Sequence, residues 1–124
     1  MADRPGYFIR PTIVRDIDDG ARLVREEQFG PILPVLSYSD IDDAVRRAND
    51  SIFGLGATVW SSSPARGWDV ARQIDAGVVW VNAHMAVHPM IAVGGAKQSG
   101  IGAELGAEGL HEFTQRHVVF LPND

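Results

Sequence analysis

Apolar and polar positions along the 124 residues fall into blocks whose period switches between two and about 3.6. Residues 7–14, Tyr-Phe-Ile-Arg-Pro-Thr-Ile-Val, are aromatic and β-branched and predict a strand. Pro11 removes one ladder donor, which puts that strand at an edge or ends it there. Asp18 and Asp19 precede Ala21, Leu23 and Val24, a short helix with acids near its N-terminal dipole. Gly30-Pro31 halts any helix, and residues 32–38 resume an extended apolar segment. Ser39 is expected to cap the next helix, with Asp42 reaching back as in a capping box. Ile41, Ala44, Val45 and Ala48 form its apolar face, opposite Asp43, Arg46 and Arg47.

Gly54 and Gly56 lead into a strand over 55–60. Ser63-Pro64 starts a helix, because the hydroxyl caps and proline at the first helical position gives up no needed donor. Trp68, Ala71 and Ile74 are its expected buried side, and Gly77 its left-handed stop. Residues 77–82, Gly-Val-Val-Trp-Val-Asn, are apolar on both faces, as in a central strand covered by helices. Strand, helix, strand, helix, strand is the order of an α/β layered domain. Residues 83–102 hold Pro89, Gly94, Gly95, Gly100 and Gly102, too many breakers for a long element, and predict an ordered loop. A helix over 104–113 and a strand over 117–122 finish the pattern.

Composition narrows the function classes. With 45% hydrophobic and 22% charged residues, the chain reads as one soluble globular domain. A net charge of −5 argues against a phosphate-binding surface, so no nucleic-acid partner is expected. The longest apolar stretches, such as residues 76–81, fall far short of the ~20 residues that cross a bilayer, and no membrane partner is expected. No apolar signal region follows Met1-Ala2-Asp3-Arg4, which predicts a cytoplasmic location. The absence of cysteine excludes thiolate catalysis and thiolate metal ligands within these residues.

Five constellations are weighed for candidate chemistry. In Glu26-Glu27-Gln28-Phe29-Gly30-Pro31 a carboxylate stands two residues before a ring and just ahead of a forced turn. Such a carboxylate can accept two ribose hydroxyls while the ring packs on a flat heterocycle; the alternative is a surface acid beside a core phenylalanine. The run from Gly94 to Gly100, Gly-Gly-Ala-Lys-Gln-Ser-Gly, fails the Walker spacing and reads as a tight path in which glycines take positive φ or let backbone approach backbone. His84 and His88 are four apart, but Pro89 opposes the helix that would align them as metal ligands. Glu104, Glu108 and Glu112 fit a solvated helix face better than a carboxylate metal site. Ser61-Ser62-Ser63 reads as turn and cap, so no catalytic residue and no metal ligand is assigned.

Read together, residues 6–12 (GYFIRPT), 26–31 (EEQFGP), the Ala-Asn-Asp and GLGATVW pair, AGVVWVN and GGAKQSGIGAELGAEGL are in the order seen in aldehyde dehydrogenases. The chain resembles that family from Gly6 to about Phe120. The resemblance implies the C-terminal part of a three-layer α/β catalytic domain, a central mostly parallel sheet flanked by helices, over residues 1–116, with a terminal oligomerisation strand over 117–124. It implies an enzyme that oxidises a small-molecule aldehyde to a carboxylic acid with NAD or NADP and assembles as a homo-oligomer. By residue-by-residue carry-over, Glu27 resembles the glutamate that holds the nicotinamide ribose, and Phe29 the ring that seats the nicotinamide. Met85, Val87 and Val93 then face the aldehyde entrance. Many relatives have Pro-Phe where this chain has Ala92-Val93, which reshapes that entrance.

In the family a cysteine thiolate attacks the aldehyde, hydride passes to the nicotinamide, and a glutamate base activates water to release the acid. The resemblance implies that these groups, and the dinucleotide domain, lie upstream of Met1. These residues alone are therefore expected to be inactive and to bind the cofactor weakly. A free-standing oligomerisation or regulatory module with the same fold is the alternative. A related acyl-phosphate or semialdehyde reductase ranks lower, because the GGAKQSG and EEQFGP pair is more typical of the oxidising enzymes.

Overall fold

The computed structural model describes residues 5–122 and divides after Asp43 into two compact units. In the first, β1 (Thr12–Val14) and β2 (Ile32–Pro34) pair in parallel, Thr12 opposite Ile32 and Val14 opposite Pro34. The expected strand over 7–14 is ordered as a ladder only in its last three residues. β2 offers just three partners, and Tyr7, Phe8 and Ile9 stand exposed without one. Between the strands lies α1 (Arg22–Arg25), a single turn, with Leu23 and Val24 half-buried.

The division falls in the first turn of α2 (Ile41–Asn49). The Asp40 carboxylate, rather than the Ser39 hydroxyl, accepts the Asp42 amide at 3.4 Å, because the helix begins one residue later than the cap expected at Ser39 requires. Val45 is the buried residue of the expected face, while Ile41 at 39% remains exposed.

The second unit is built on β4 (Gly56–Val59) and β5 (Val78–Val81), parallel and in register from Gly56 opposite Val78 to Val59 opposite Val81. Their crossover is α3 (Pro64–Ala71), whose N-cap Ser63 Oγ accepts the Arg66 amide, with Pro64 at the first helical position as expected. Its buried side is Gly67 and Ala71, flanked by half-buried Val70 and Ile74. Trp68, expected inside, is 62% exposed. The reason is close packing: a Cβ on Gly67 would stand 2.7 Å from Val81 Cγ1, so the helix touches the sheet at its glycine, one position from the indole. Two of the three strand pairings are parallel; the third joins β3 (Phe53–Gly54) antiparallel to β6 (Ala96–Lys97), a short strand inside the predicted glycine loop.

The last helix is α4 (Gly106–His111), shorter than the expected 104–113 because Leu105 and Gly106 take positive φ, +64° and +59°. Residues 117–122, expected as a strand, have no ladder partner, and Val118, Val119, Phe120 and Leu121 are exposed. Asn123 and Asp124 of that segment, and Met1 to Arg4, lie outside the described residues. Among the described residues no helix is long and apolar enough to cross a membrane.

The hydrophobic core is small: Val45 and Ala71 are its buried members among the described residues. The accessible area is 10575 Å², whereas two separate compact bodies of these sizes would expose about 7,800 Å². Such an excess, with Tyr7, Phe29, Trp60, Ile101 and Phe113 all exposed, marks apolar surface that needs a cover. The isolated 124-residue chain should therefore bind a hydrophobic dye strongly and unfold in urea over a broad range. A sharp transition with the steep denaturant dependence of a domain this size would contradict that expectation.

Candidate functional site

The second unit holds a groove of about 690 Å³, within the range of small-molecule sites. Met85, Val87 and Val93, the three residues expected at an aldehyde entrance, all line it. Its floor is the glycine run. A Cβ on Gly77 would stand 1.7 Å from the Gly94 carbonyl oxygen, one on Gly94 2.7 Å from the Gly102 oxygen, and one on Gly95 2.9 Å from Ser99. Gly77, expected as a left-handed stop, takes no positive φ; it is required because backbone meets backbone there. Val93 and Glu104 close the floor by exchanging both amide hydrogen bonds at 2.8 Å.

Lys97 takes φ +54° within the same run and is held by its tip. Its ammonium donates to the Asn49 carbonyl at 2.8 Å and lies 4.0 Å from the Asp75 carboxylate. The Asn49 side chain in turn donates to the Gln73 carbonyl and accepts the Asp75 amide, so one asparagine joins α2 to the turn before β5. The Ser99 hydroxyl accepts the Gly54 amide at 2.8 Å and pins the run to β3.

The other wall leaves β5 at Asn82, which has φ +53°. Its amide group brackets Ser61, accepting the Ser61 N–H and donating to the Ser61 carbonyl, each at 2.8 Å. Met85 follows at φ +54°, a left-handed conformation that costs a residue with a Cβ about 1–2 kcal/mol. Strain of that kind persists only where the surroundings over-determine the backbone.

Trp80, His84, Glu104 and Glu112 also line the groove, and pattern reading assigned none of them to a site. Trp80 was legible only as strand, and His84 only as a weak metal candidate with His88. Instead, His84 Nδ1 forms a hydrogen-bonded pair with Thr58 Oγ1 at 2.9 Å, and His88 Nδ1 accepts the Met90 amide at 3.2 Å. Glu104 precedes α4 rather than belonging to its solvated face. The lining carries two carboxylates and one imidazole and neither lysine nor arginine.

Glu27 and Phe29 belong to the first unit, and both are exposed, Phe29 at 99%. The adjacent Glu26 is held by Arg22 in a two-pronged pair, 2.8 Å from Nε and 2.9 Å from the terminal nitrogen. That hydrogen bonding keeps the Glu26 carboxyl below the usual carboxylate range and raises the Arg22 guanidinium. A depressed carboxyl favours the folded turn above its unfolded pKa, and the benefit is lost as pH falls through the folded one. Among the described residues nothing pairs with Glu27, so its oxygens are available to a ligand. The Phe29 ring is covered by nothing among the described residues.

Substituting Gly77→Ala should cost the native protein about 2 kcal/mol or more, since the obstacle is a carbonyl in the backbone. The urea midpoint reads that loss, and an unchanged midpoint would show that the floor yields freely.

The sequence profile of the aldehyde dehydrogenase family matches residues 1–119. The chain is 46% identical to a betaine aldehyde dehydrogenase of Brucella anthropi over 116 residues, covering 94% of this chain and 24% of that protein. It is 44% identical, with the same coverage, to the betaine aldehyde dehydrogenase of Brucella melitensis. Among solved structures, a Mycobacterium tuberculosis aldehyde dehydrogenase complexed with NAD+ superposes with a TM-score of 0.89 at 41% identity, over 94% of this chain and 24% of that one. The C291A mutant of Pseudomonas syringae aldehyde dehydrogenase C, in complex with NAD+ and octanal, gives 0.82 at 42% identity, over 87% and 22%. The fold is thus part of an aldehyde-dehydrogenase catalytic domain, and the chain spans about a quarter of the length of these relatives. On this profile match and these identities, the chain belongs to the aldehyde dehydrogenase family.

Proposed function

We propose that this chain supplies the aldehyde-facing groove and the nicotinamide-ribose contacts of an NAD(P)-dependent aldehyde dehydrogenase. The observation that carries the proposal is the meeting of Met85, Val87 and Val93 on one groove of about 690 Å³. Apolar walls suit an aldehyde's hydrocarbon part. Two carboxylates without a lysine or arginine in the lining favour neutral or cationic aldehydes over those bearing a carboxylate. The names of the Brucella relatives agree with a cationic substrate.

The order of the motifs, from the EEQFGP run to the GGAKQSG run, supports assignment to the C-terminal part of the catalytic domain, with the terminal oligomerisation strand at 117–124. Exposure of Val118, Val119, Phe120 and Leu121 without a ladder partner supports that role for the last segment, and with it a homo-oligomer. The nicotinamide cofactor, when bound, accepts the hydride. Glu27, exposed and unpaired among the described residues, accepts ribose hydroxyls, and the bare ring of Phe29 packs beside the nicotinamide. The attacking thiol comes from outside these residues, which contain no cysteine. These residues alone are then inactive.

In the full-length enzyme, Glu27→Gln should raise the KM for the nicotinamide cofactor about tenfold, the loss of one charge-assisted hydrogen bond. Glu26→Gln should change it less than about twofold, because Arg22 already occupies that carboxylate. Steady-state assays of cofactor reduction test both, with the 124-residue chain alone as the inactive control. Equal effects of the two substitutions, or turnover by the chain alone, would contradict the proposal.

A further inference from the structure

The strained wall of the groove is held by side chains that belong to the sheet rather than to the wall. Thr58 of β4 and Trp80 of β5 are opposite each other in the parallel ladder, so they share one face of the pair. The Trp80 ring lies against Gly56, where an added Cβ would meet it at 2.9 Å, and no larger residue at 56 leaves it that seat. From there the indole N–H donates to the Ala86 carbonyl at 2.8 Å. The His84 ring stands edge-on to the same indole, 6.0 Å between centroids at 68°, and its Nδ1 meets Thr58 Oγ1 at 2.9 Å. Residues 84 and 86 are therefore each tied to the sheet, and between them stands Met85 at φ +54°. A left-handed methionine between two fixed neighbours has its side-chain direction set by them.

We infer that Thr58 and Trp80 are positioning residues of the aldehyde groove, a clamp that holds Met85 in its left-handed conformation and so sets how long an aldehyde the groove accepts. The inference rests on the proposed reading of this groove as the aldehyde path. Thr58 does not line the groove, so it acts only through His84. Thr58→Val keeps the shape of the side chain and removes the hydroxyl.

Two measurements on the full-length protein test the clamp. Amide hydrogen exchange over residues 84–87 should accelerate about fivefold in Thr58→Val and in Trp80→Phe, the equivalent of one modest hydrogen bond, and Thr58→Ser should restore the native rate. In Thr58→Val, the KM for an eight-carbon aldehyde should change about fivefold, with kcat and the KM for a two-carbon aldehyde within about twofold of the native values. Unchanged exchange in both variants, or an equal loss for long and short aldehydes, would overturn the clamp. If the native enzyme oxidises no aldehyde, it is the groove's proposed substrate that fails, and the exchange arm still decides whether Thr58 and Trp80 hold the wall.

Discussion

The structure turns on one backbone contact, the entry of β5 against the glycine run, where a single Cβ at Gly77 would lie 1.7 Å from the Gly94 carbonyl oxygen. Because no side chain fits there, strand and run approach as closely as backbone allows. Val93, Gly94 and Gly95 thereby form a floor directly beside the strand that carries Trp80. The tips of Lys97 and Ser99 then fix the run to Asn49 and Gly54 through hydrogen bonds rather than through apolar burial. Polar pinning of this kind suits a segment with little core beneath it, since each bond is directional and local.

That shortage of core follows from how little of the family fold is present. A catalytic-domain sheet covered by helices on both sides leaves strand residues deeply buried, yet every residue of β5 is only half-buried here. The 10575 Å² surface and the row of exposed aromatic residues accord with a chain that spans about a quarter of the length of its relatives. The groove keeps its shape nonetheless, because the contacts that form it lie within the second unit.

The sequence was most legible where local chemistry decides. Ser63-Pro64 started a helix as its hydroxyl and fixed φ require, and the parallel α/β order emerged from the alternation of periods. The face of α3 was misread because glycine carries no hydropathy: Gly67 meets Val81, and the indole beside it is left outside. The β6 strand was illegible because Ala96-Lys97 pairs only after Phe53-Gly54 has been brought to it. Of the residues that line the groove, Met85, Val87 and Val93 were singled out through the spacing of family motifs, whereas Trp80 and His84 were concealed by their other uses, as strand filler and as half of a metal pair. Thr58 gave no signal, since its role depends on register with Trp80, which a sequence does not display.

The central claim is that the groove between the glycine floor and the Met85 wall receives the aldehyde. A crystal structure of the full-length enzyme with a bound aldehyde tests it most directly. The aldehyde's carbon chain should lie within about 4.5 Å of the side chains of Met85, Val87 and Val93. An aldehyde bound elsewhere, with protein filling the groove, would contradict the account.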